Sequence, residues 1–285
     1  MTNFLKLLNV LMILTLFCIE LSGCSASSNA TAPRITEPEH EVGDMVLVSS
    51  GEFRMGSQPF IFDADESPLH TVTLSAYYIN VFEVTNAEYA TFLSDTSGGT
   101  YHYWFEMDIT QTADGFVAKP GLENYPVRFA NHDNATAYAA YLNGRLPTEA
   151  EWEKAARGPG NERHFPWGSQ IYAGQANWDN PEGLWEVGTA TGKSYYGCSD
   201  MAGNVWEWTA DWYDASYYRY TNNTNPQGPI SGEFKSVRGG GYLNNSELQM
   251  RCSERQAVDP GGRYVDLGFR CVVDSAVYVN NRLGN

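Results

Sequence analysis

Apolar and polar positions alternate in two early stretches of the chain. In Met45-Val-Leu-Val-Ser-Ser-Gly-Glu-Phe-Arg-Met-Gly-Ser57 the alternation runs into Gly51 and resumes beyond it, which predicts a hairpin turning at that glycine. His70–Asn80 alternates again through Val72, Leu74, Tyr78 and Ile79 and predicts a strand. The period then changes. Thr85-Asn-Ala-Glu88 places a hydroxyl three residues ahead of a carboxylate, a capping box that starts a helix running to about Leu93. Asp133 is placed to cap a second helix over Ala135–Leu142, with Gly144 just past its end. Thr148-Glu-Ala-Glu151 is another capping box and starts a third helix ending near Arg157-Gly158. Beyond Gly158 no long helical period survives. Gly, Asn, Pro and aromatic residues dominate, so short strands and loops fill the second half. The pattern predicts an α+β chain with few regular elements, helices clustered in the middle, and no internal repeat.

The first residues follow a different logic. Lys6 precedes Leu7–Ile19, an apolar run broken mainly by Asn9 and Thr15, and Leu21-Ser22-Gly23-Cys24 ends it with small residues before a cysteine. The run is short for a bilayer span and reads as a signal peptide over 1–23. The cysteine at that point resembles a bacterial lipobox, so Cys24 is the expected lipidation site; an ordinary secretory signal with an incidental cysteine is the alternative. Ser25, rather than an aspartate, favours outer-membrane sorting in a Gram-negative host. Residues 24–41 are rich in Ser, Ala, Thr and Pro and form a tether. Residues 42–285 form one domain, large enough for a sizeable core. The expected location is the bacterial cell envelope, with the membrane reached through the lipid anchor only.

Charge and cysteines narrow the partners. The chain carries 34 acids against 18 Lys and Arg, a net charge of −16. That disfavours nucleic acid and anionic membrane surfaces. It suits divalent cations or basic ligands, and equally serves solubility. Cys198, Cys252 and Cys271 follow the tether. An oxidising compartment permits a Cys252–Cys271 disulfide; free buried thiols are the other possibility, and Cys198 has no assignable partner. His70, His102, His132 and His164 lack metal-ligand spacing.

The densest segment is Asp200-Met-Ala-Gly-Asn-Val-Trp-Glu-Trp-Thr-Ala-Asp-Trp212, with three indoles and three acids around a glycine turn. Such alternation is not what a core strand needs, and it points to a cation site beside an aromatic platform. Together with Met45–Gly56, Thr85–Leu93, Gly144–Arg157 and Arg251–Cys271, it resembles the formylglycine-generating enzyme (sulfatase-modifying factor) family from about Met45 to Val273. The resemblance implies a variant of the C-type-lectin-like fold. It also implies a calcium site with carboxylates from Asp200 and Glu207 and carbonyls from Gly203 and Val205, an oxygen set that suits this ion. Acids that simply cap the turn are the alternative. A second family site begins at Asn177 and the Trp178 carbonyl; its later ligands fall in a shortened segment where Asp179, Asn180 or Glu182 would substitute.

Gly239-Gly-Gly-Tyr-Leu-Asn-Asn-Ser-Glu-Leu-Gln-Met-Arg-Cys252 resembles the family's active-site segment, which in oxidase members carries Gly-Gly-Ser-Tyr and then two cysteines that bind copper(I). Here Gly241 replaces the serine, and Leu243–Gln249 holds no cysteine. Carboxamides and carboxylates do not replace soft thiolates, so copper is not expected. Two function classes follow. The first is a non-catalytic binding or scaffold lipoprotein that uses a groove lined by Trp206, Tyr242, Asn244, Asn245 and Arg251 for a peptide, a small polar ligand or an envelope protein complex. The second is an enzyme of the family with altered oxidative chemistry in the same cleft.

Overall fold

Two of the three expected helix caps form. In the computed structural model, which describes residues 43–58, 62–160 and 163–278, Thr85 Oγ1 accepts from Glu88 N and Glu88 Oε2 accepts from Thr85 N at 2.8 Å. This pair launches helix α1 (Asn86–Asp95). A short helix, α2 (Gly99–His102), follows. Helix α3 (His132–Tyr141) is capped by Asn131 rather than Asp133, because the Asn131 side chain accepts from Asn134 N at 2.9 Å. Asp133 lies instead in the first turn, where its charge faces the positive helix end. The reciprocal Thr148–Glu151 pair starts α4 (Glu149–Arg157), as its spacing predicts. The signal and tether residues, with Cys24, lie outside the described residues. None of the described helices is long and apolar enough to cross a membrane.

The expected hairpin at Gly51 does not form. Strand β1 (Met45–Val48) and strand β2 (Gly51–Met55) part company at that glycine. The stretch His70–Asn80 likewise divides, into β3 (His70–Leu74) and β4 (Tyr77–Asn80). Strand β1 pairs antiparallel with β4, Met45 opposite Asn80, while β2 pairs antiparallel with β3, Gly51 opposite Leu74. Alternation records which face is buried, not which strand is the partner. Strands β5 (Ile109–Thr112) and β6 (Gly115–Ala118) make a hairpin packed on α1.

The segment of acids and indoles corrects a second expectation. Trp206–Trp212 is a strand, β7, inside a four-stranded sheet with β8 (Lys235–Arg238), β9 (Arg255–Val258) and β10 (Leu267–Gly268) in the order β10-β7-β8-β9. It is a core strand after all, with both acids buried. Strand β11 (Val272–Asp274) completes a three-stranded sheet in the order β1-β4-β11. The architecture is α+β.

Two large apolar clusters and one small one fill the core. Of the large ones, one gathers Tyr89, Phe92, Tyr138, Trp208 and Phe269. The other gathers Phe53, Tyr77, Ile79, Trp152 and Cys252. Buried carboxylates and guanidinium groups lie beside both, and from these the candidate site is built.

Candidate functional site

Glu207 follows Trp206 on β7 and is fully buried, so its charge needs a partner. Arg270 supplies it as a fork, Nε to Oε2 and Nη2 to Oε1, both at 2.7 Å. Trp152 Nε1 donates to Oε2 at 2.8 Å. The remaining Arg270 donors reach the carbonyls of Asn80, Val81 and Ser199. Glu207 is therefore the counter-ion of Arg270.

Two more buried acids stand nearby without an ion pair among the described residues. Asp200 Oδ2 accepts from Gly188 N at 2.6 Å. Glu83 accepts from Asn204 Nδ2 at 2.7 Å and from Val205 N at 3.1 Å. Burial first, then the charges of Asp200 and Glu207, hold the Glu83 carboxyl well above the usual range. Burial lifts Asp200 to about 6. The turn between them coils through left-handed residues Asp200, Gly203 and Asn204. A side chain at Gly203 would meet the Asn177 carbonyl at 2.4 Å.

Three buried carboxylates thus lie near one guanidinium, that of Arg270, which bonds Glu207 and acts on Glu83 and Asp200 only through its charge. Oxygen donors suit a hard divalent cation, but these three acids do not bring their oxygens within 4.8 Å of one another; among the described residues, Asp63, Glu66 and Glu254 do. Glu83 was not foreseen from sequence. Its signal is an acid set among Val81, Phe82 and Val84, where an unpaired charge would be costly. Asn177, expected to open a second site, spends its side-chain oxygen on Asn180 Nδ2 at 2.8 Å and its Nδ2 on Gly183 and Asn204.

A second polar centre sits under α4. Arg255 grips Glu149 with two bonds of 2.7 Å. Arg238 joins Glu149 to Glu153, and Arg157 and the Gly56 N–H also donate to Glu153. Glu151 instead caps the helix and takes a fork from Arg145. These acids are committed to structure, not acid–base chemistry. Asp211 accepts from Glu149 N at 2.8 Å, and burial, then the Glu149 charge, push its carboxyl up to about 8. A carboxyl whose folded pKa is raised contributes stability that is full below about pH 4 and is lost as pH climbs toward 8. Asp211→Asn keeps an acceptor and removes the titration. Its melting temperature is expected to depend less on pH than the wild type's between pH 5 and 8; parallel curves would exclude the assignment.

The segment after β8 turns through Gly239 and Gly240, both left-handed, and a Cβ on Gly240 would meet the Gln249 carbonyl at 2.7 Å. Asn244 Oδ1 accepts from Gly241 N, while the Tyr242 and Asn244 carbonyls accept from Asn180 N and Asp179 N. The expected groove is only partly open. Trp206, Tyr242 and Arg251 are buried. Arg251 is held by Glu66 at 2.7 Å and Glu254 at 2.9 Å and stacks on Phe62. Asn245 is exposed and Asn244 half-buried. The open space lies beside them: a cleft of about 470 Å³ lined by Tyr172, Trp178, Asp179, Asn180, Trp185 and Glu247. None of the expected groove residues lines it; Trp178, Asp179 and Asn180, expected around a second metal site, do.

Cys198, Cys252 and Cys271 are free and buried, which decides between the two cysteine possibilities. Burial raises all three thiols, Cys252 to about 12, so none supplies a thiolate near neutral pH. His132, packed on Trp208 and bonded to the Thr209 carbonyl, is pushed down to about 4 by burial and stays neutral.

Comparison with known proteins accounts for this layout. The formylglycine-generating enzyme of Streptomyces coelicolor is 32% identical, the match covering 86% of this chain and 92% of that one. The serine/threonine-protein kinase pkn1 of Chlamydia pneumoniae is 34% identical over 82% of this chain, which spans only 38% of the kinase's length. The structure of PvdO from Pseudomonas aeruginosa superposes with a TM-score of 0.66 at 25% identity, covering 81% of this chain and 94% of that one. Residues 31–275 match the family model described as the sulfatase-modifying factor enzyme 1-like domain, and the chain belongs to that family.

Proposed function

We propose that this protein is an exported, lipid-anchored member of the family whose domain recognises a ligand rather than oxidising a cysteine. The observation that carries the proposal is the segment Leu243–Gln249, which has no cysteine where oxidase members carry their copper pair. The nearest thiol, Cys252, is buried and lies at about 12. Soft copper(I) requires thiolates, and neither Asn244 nor Asn245 provides one. Purified protein given copper, oxygen and a sulfatase-type cysteine peptide is expected to leave the peptide's mass unchanged. Conversion well above the enzyme-free control would sink the proposal and make Cys252 the catalytic candidate.

A second reading is an enzyme with different oxidative chemistry. The hercynine oxygenase of Mycolicibacterium smegmatis, 33% identical over 81% of this chain and 61% of its own length, favours it. Calcium belongs to the proposal under either reading. It is supported by the excess of buried carboxylates at Glu83, Asp200 and Glu207, with the Gly203 and Val205 carbonyls on the same turn.

The anchor rests on Leu21–Cys24 and Ser25. Metabolic labelling with a palmitate analogue is expected to mark the protein, in an outer-membrane fraction if the host is Gram-negative. Cys24→Ala should abolish the mark. Equal labelling of the variant would count against lipidation.

A further inference from the structure

The cleft beside the former copper segment has a chemistry of its own. Three aromatic residues, Tyr172, Trp178 and Trp185, contribute to its wall. Two carboxylates, Asp179 and Glu247, join them, and among the described residues no Lys, Arg or His does. Its volume of about 470 Å³ is within the range of small-molecule sites.

The wall is held from behind. Asp179, in a left-handed conformation, donates its N–H to the Asn244 carbonyl at 2.8 Å. Asn180 donates to the Tyr242 carbonyl and, through its side chain, to Asn177 and Gly183. Trp185 is pinned at both backbone groups by Asn204, whose amide also donates to Glu83. Trp178 packs beside the small apolar cluster of Phe165, Ala176, Ala202 and Met250. Glu247 opens the short 3-10 turn Glu247–Met250. The backbone of this wall is therefore set before a ligand arrives.

Neither Asp179 nor Glu247 forms an ion pair with a described residue. Both are exposed at the rim, while Trp178 and Trp185 are half-buried. Aromatic faces carry negative electrostatic potential and attract cations, most strongly over tryptophan. Carboxylates at the same mouth add charge of the same sign. An anion would meet two negative groups and no positive one. A neutral apolar ligand would leave the carboxylates without a purpose. A bare metal ion would find only two protein carboxylates and little use for the indoles.

We infer that this cleft binds an organic cation, an ammonium or guanidinium head placed against the indoles of Trp178 and Trp185 and neutralised by Asp179 and Glu247. The inference rests on the recognition reading above and names its ligand class. The head group belongs either to a small molecule or to a basic side chain of a peptide.

The test is calorimetric titration of the folded protein with choline, its uncharged isostere 3,3-dimethylbutan-1-ol, argininamide and the tripeptide Gly-Arg-Gly. At least one cation is expected to bind in the micromolar to millimolar range, and at least tenfold more tightly than the neutral alcohol. Glu247→Gln and Asp179→Asn should each weaken it several-fold, and Trp178→Leu at least tenfold. Choline against Gly-Arg-Gly separates the two sources of the head group. Glu247 is exposed, so the folded state of that variant, checked by near-UV circular dichroism, keeps the result interpretable if Trp178→Leu unfolds. Equal affinity for choline and the alcohol, no binding of any cation, or affinity unchanged in Glu247→Gln would each overturn the inference. If cations fail while the cysteine peptide binds without conversion, recognition stands and this ligand class falls. If the peptide is converted, the recognition reading itself fails.

Discussion

Glu207→Ala is expected to destabilise the domain by about 3–5 kcal/mol, the cost of leaving a buried charge without its partner. Arg270 would keep its three carbonyl acceptors but lose both carboxylate bonds, and Trp152 Nε1 would lose its acceptor among the described residues in a closed interior. In a domain of this size each kcal/mol lowers the melting temperature by about 2–4 °C, so a fall of roughly 10 °C is expected.

The same experiment separates two roles for the acid. If Glu207 acts through Arg270, the deficit persists in chelator. If it acts as a calcium ligand, the deficit shrinks when calcium is removed from wild type and variant alike. Calcium bound only to the folded state adds about 2.7 kcal/mol at a hundredfold excess over Kd. A wild-type melting temperature indifferent to chelator would therefore remove calcium from the proposal while leaving the Arg270 clasp in place.

Arg238→Leu is expected to cost a similar amount, again about 3–5 kcal/mol. Its guanidinium, with no exposed surface, bonds Glu149 and Glu153 and the carbonyls of Cys252 and Ser253, and it stacks 5.5 Å from the Trp152 ring. Leucine fills part of the volume and meets none of these acceptors. Glu149 retains Arg255, and Glu153 retains Arg157 and the Gly56 N–H, so the variant should stay folded at low temperature and lose its margin on heating. Denaturant unfolding measures this directly; a change below about 1 kcal/mol, the level of an exposed pair, would show that the network is redundant.

What the sequence displayed and what it hid have separate physical causes. Capping boxes are local: Thr85 with Glu88 and Thr148 with Glu151 carry their geometry within four residues, and both helices start where the spacing places them. Strand partners are not local, so β1 and β2, adjacent along the chain, entered different sheets. The acids of β7 looked foreign to a core strand because their hydrogen-bond donors lie far away in sequence, Arg270 for Glu207 and the Glu149 N–H at the start of α4 for Asp211. Arg251 was expected in a groove on the strength of its position, yet Glu66, distant in sequence, draws it inside. The aromatic cleft was hidden for the same reason: Tyr172, Trp185 and Glu247 share no periodicity, and only the folded loop gathers them.

Strand β4 lies between β1, the first described strand, and β11, the last. Arg270 reaches across 190 positions to the Asn80 carbonyl in the same region. Such long loops must close before their contacts give any return, which slows the search for the native state. A chain made from its N-terminus cannot complete this sheet until the residues near 270 have emerged. Until then β4 stays half paired and the Glu207 clasp unmade. For the export proposed above that delay is useful, since a polypeptide that cannot finish folding early remains threadable until its last strand arrives.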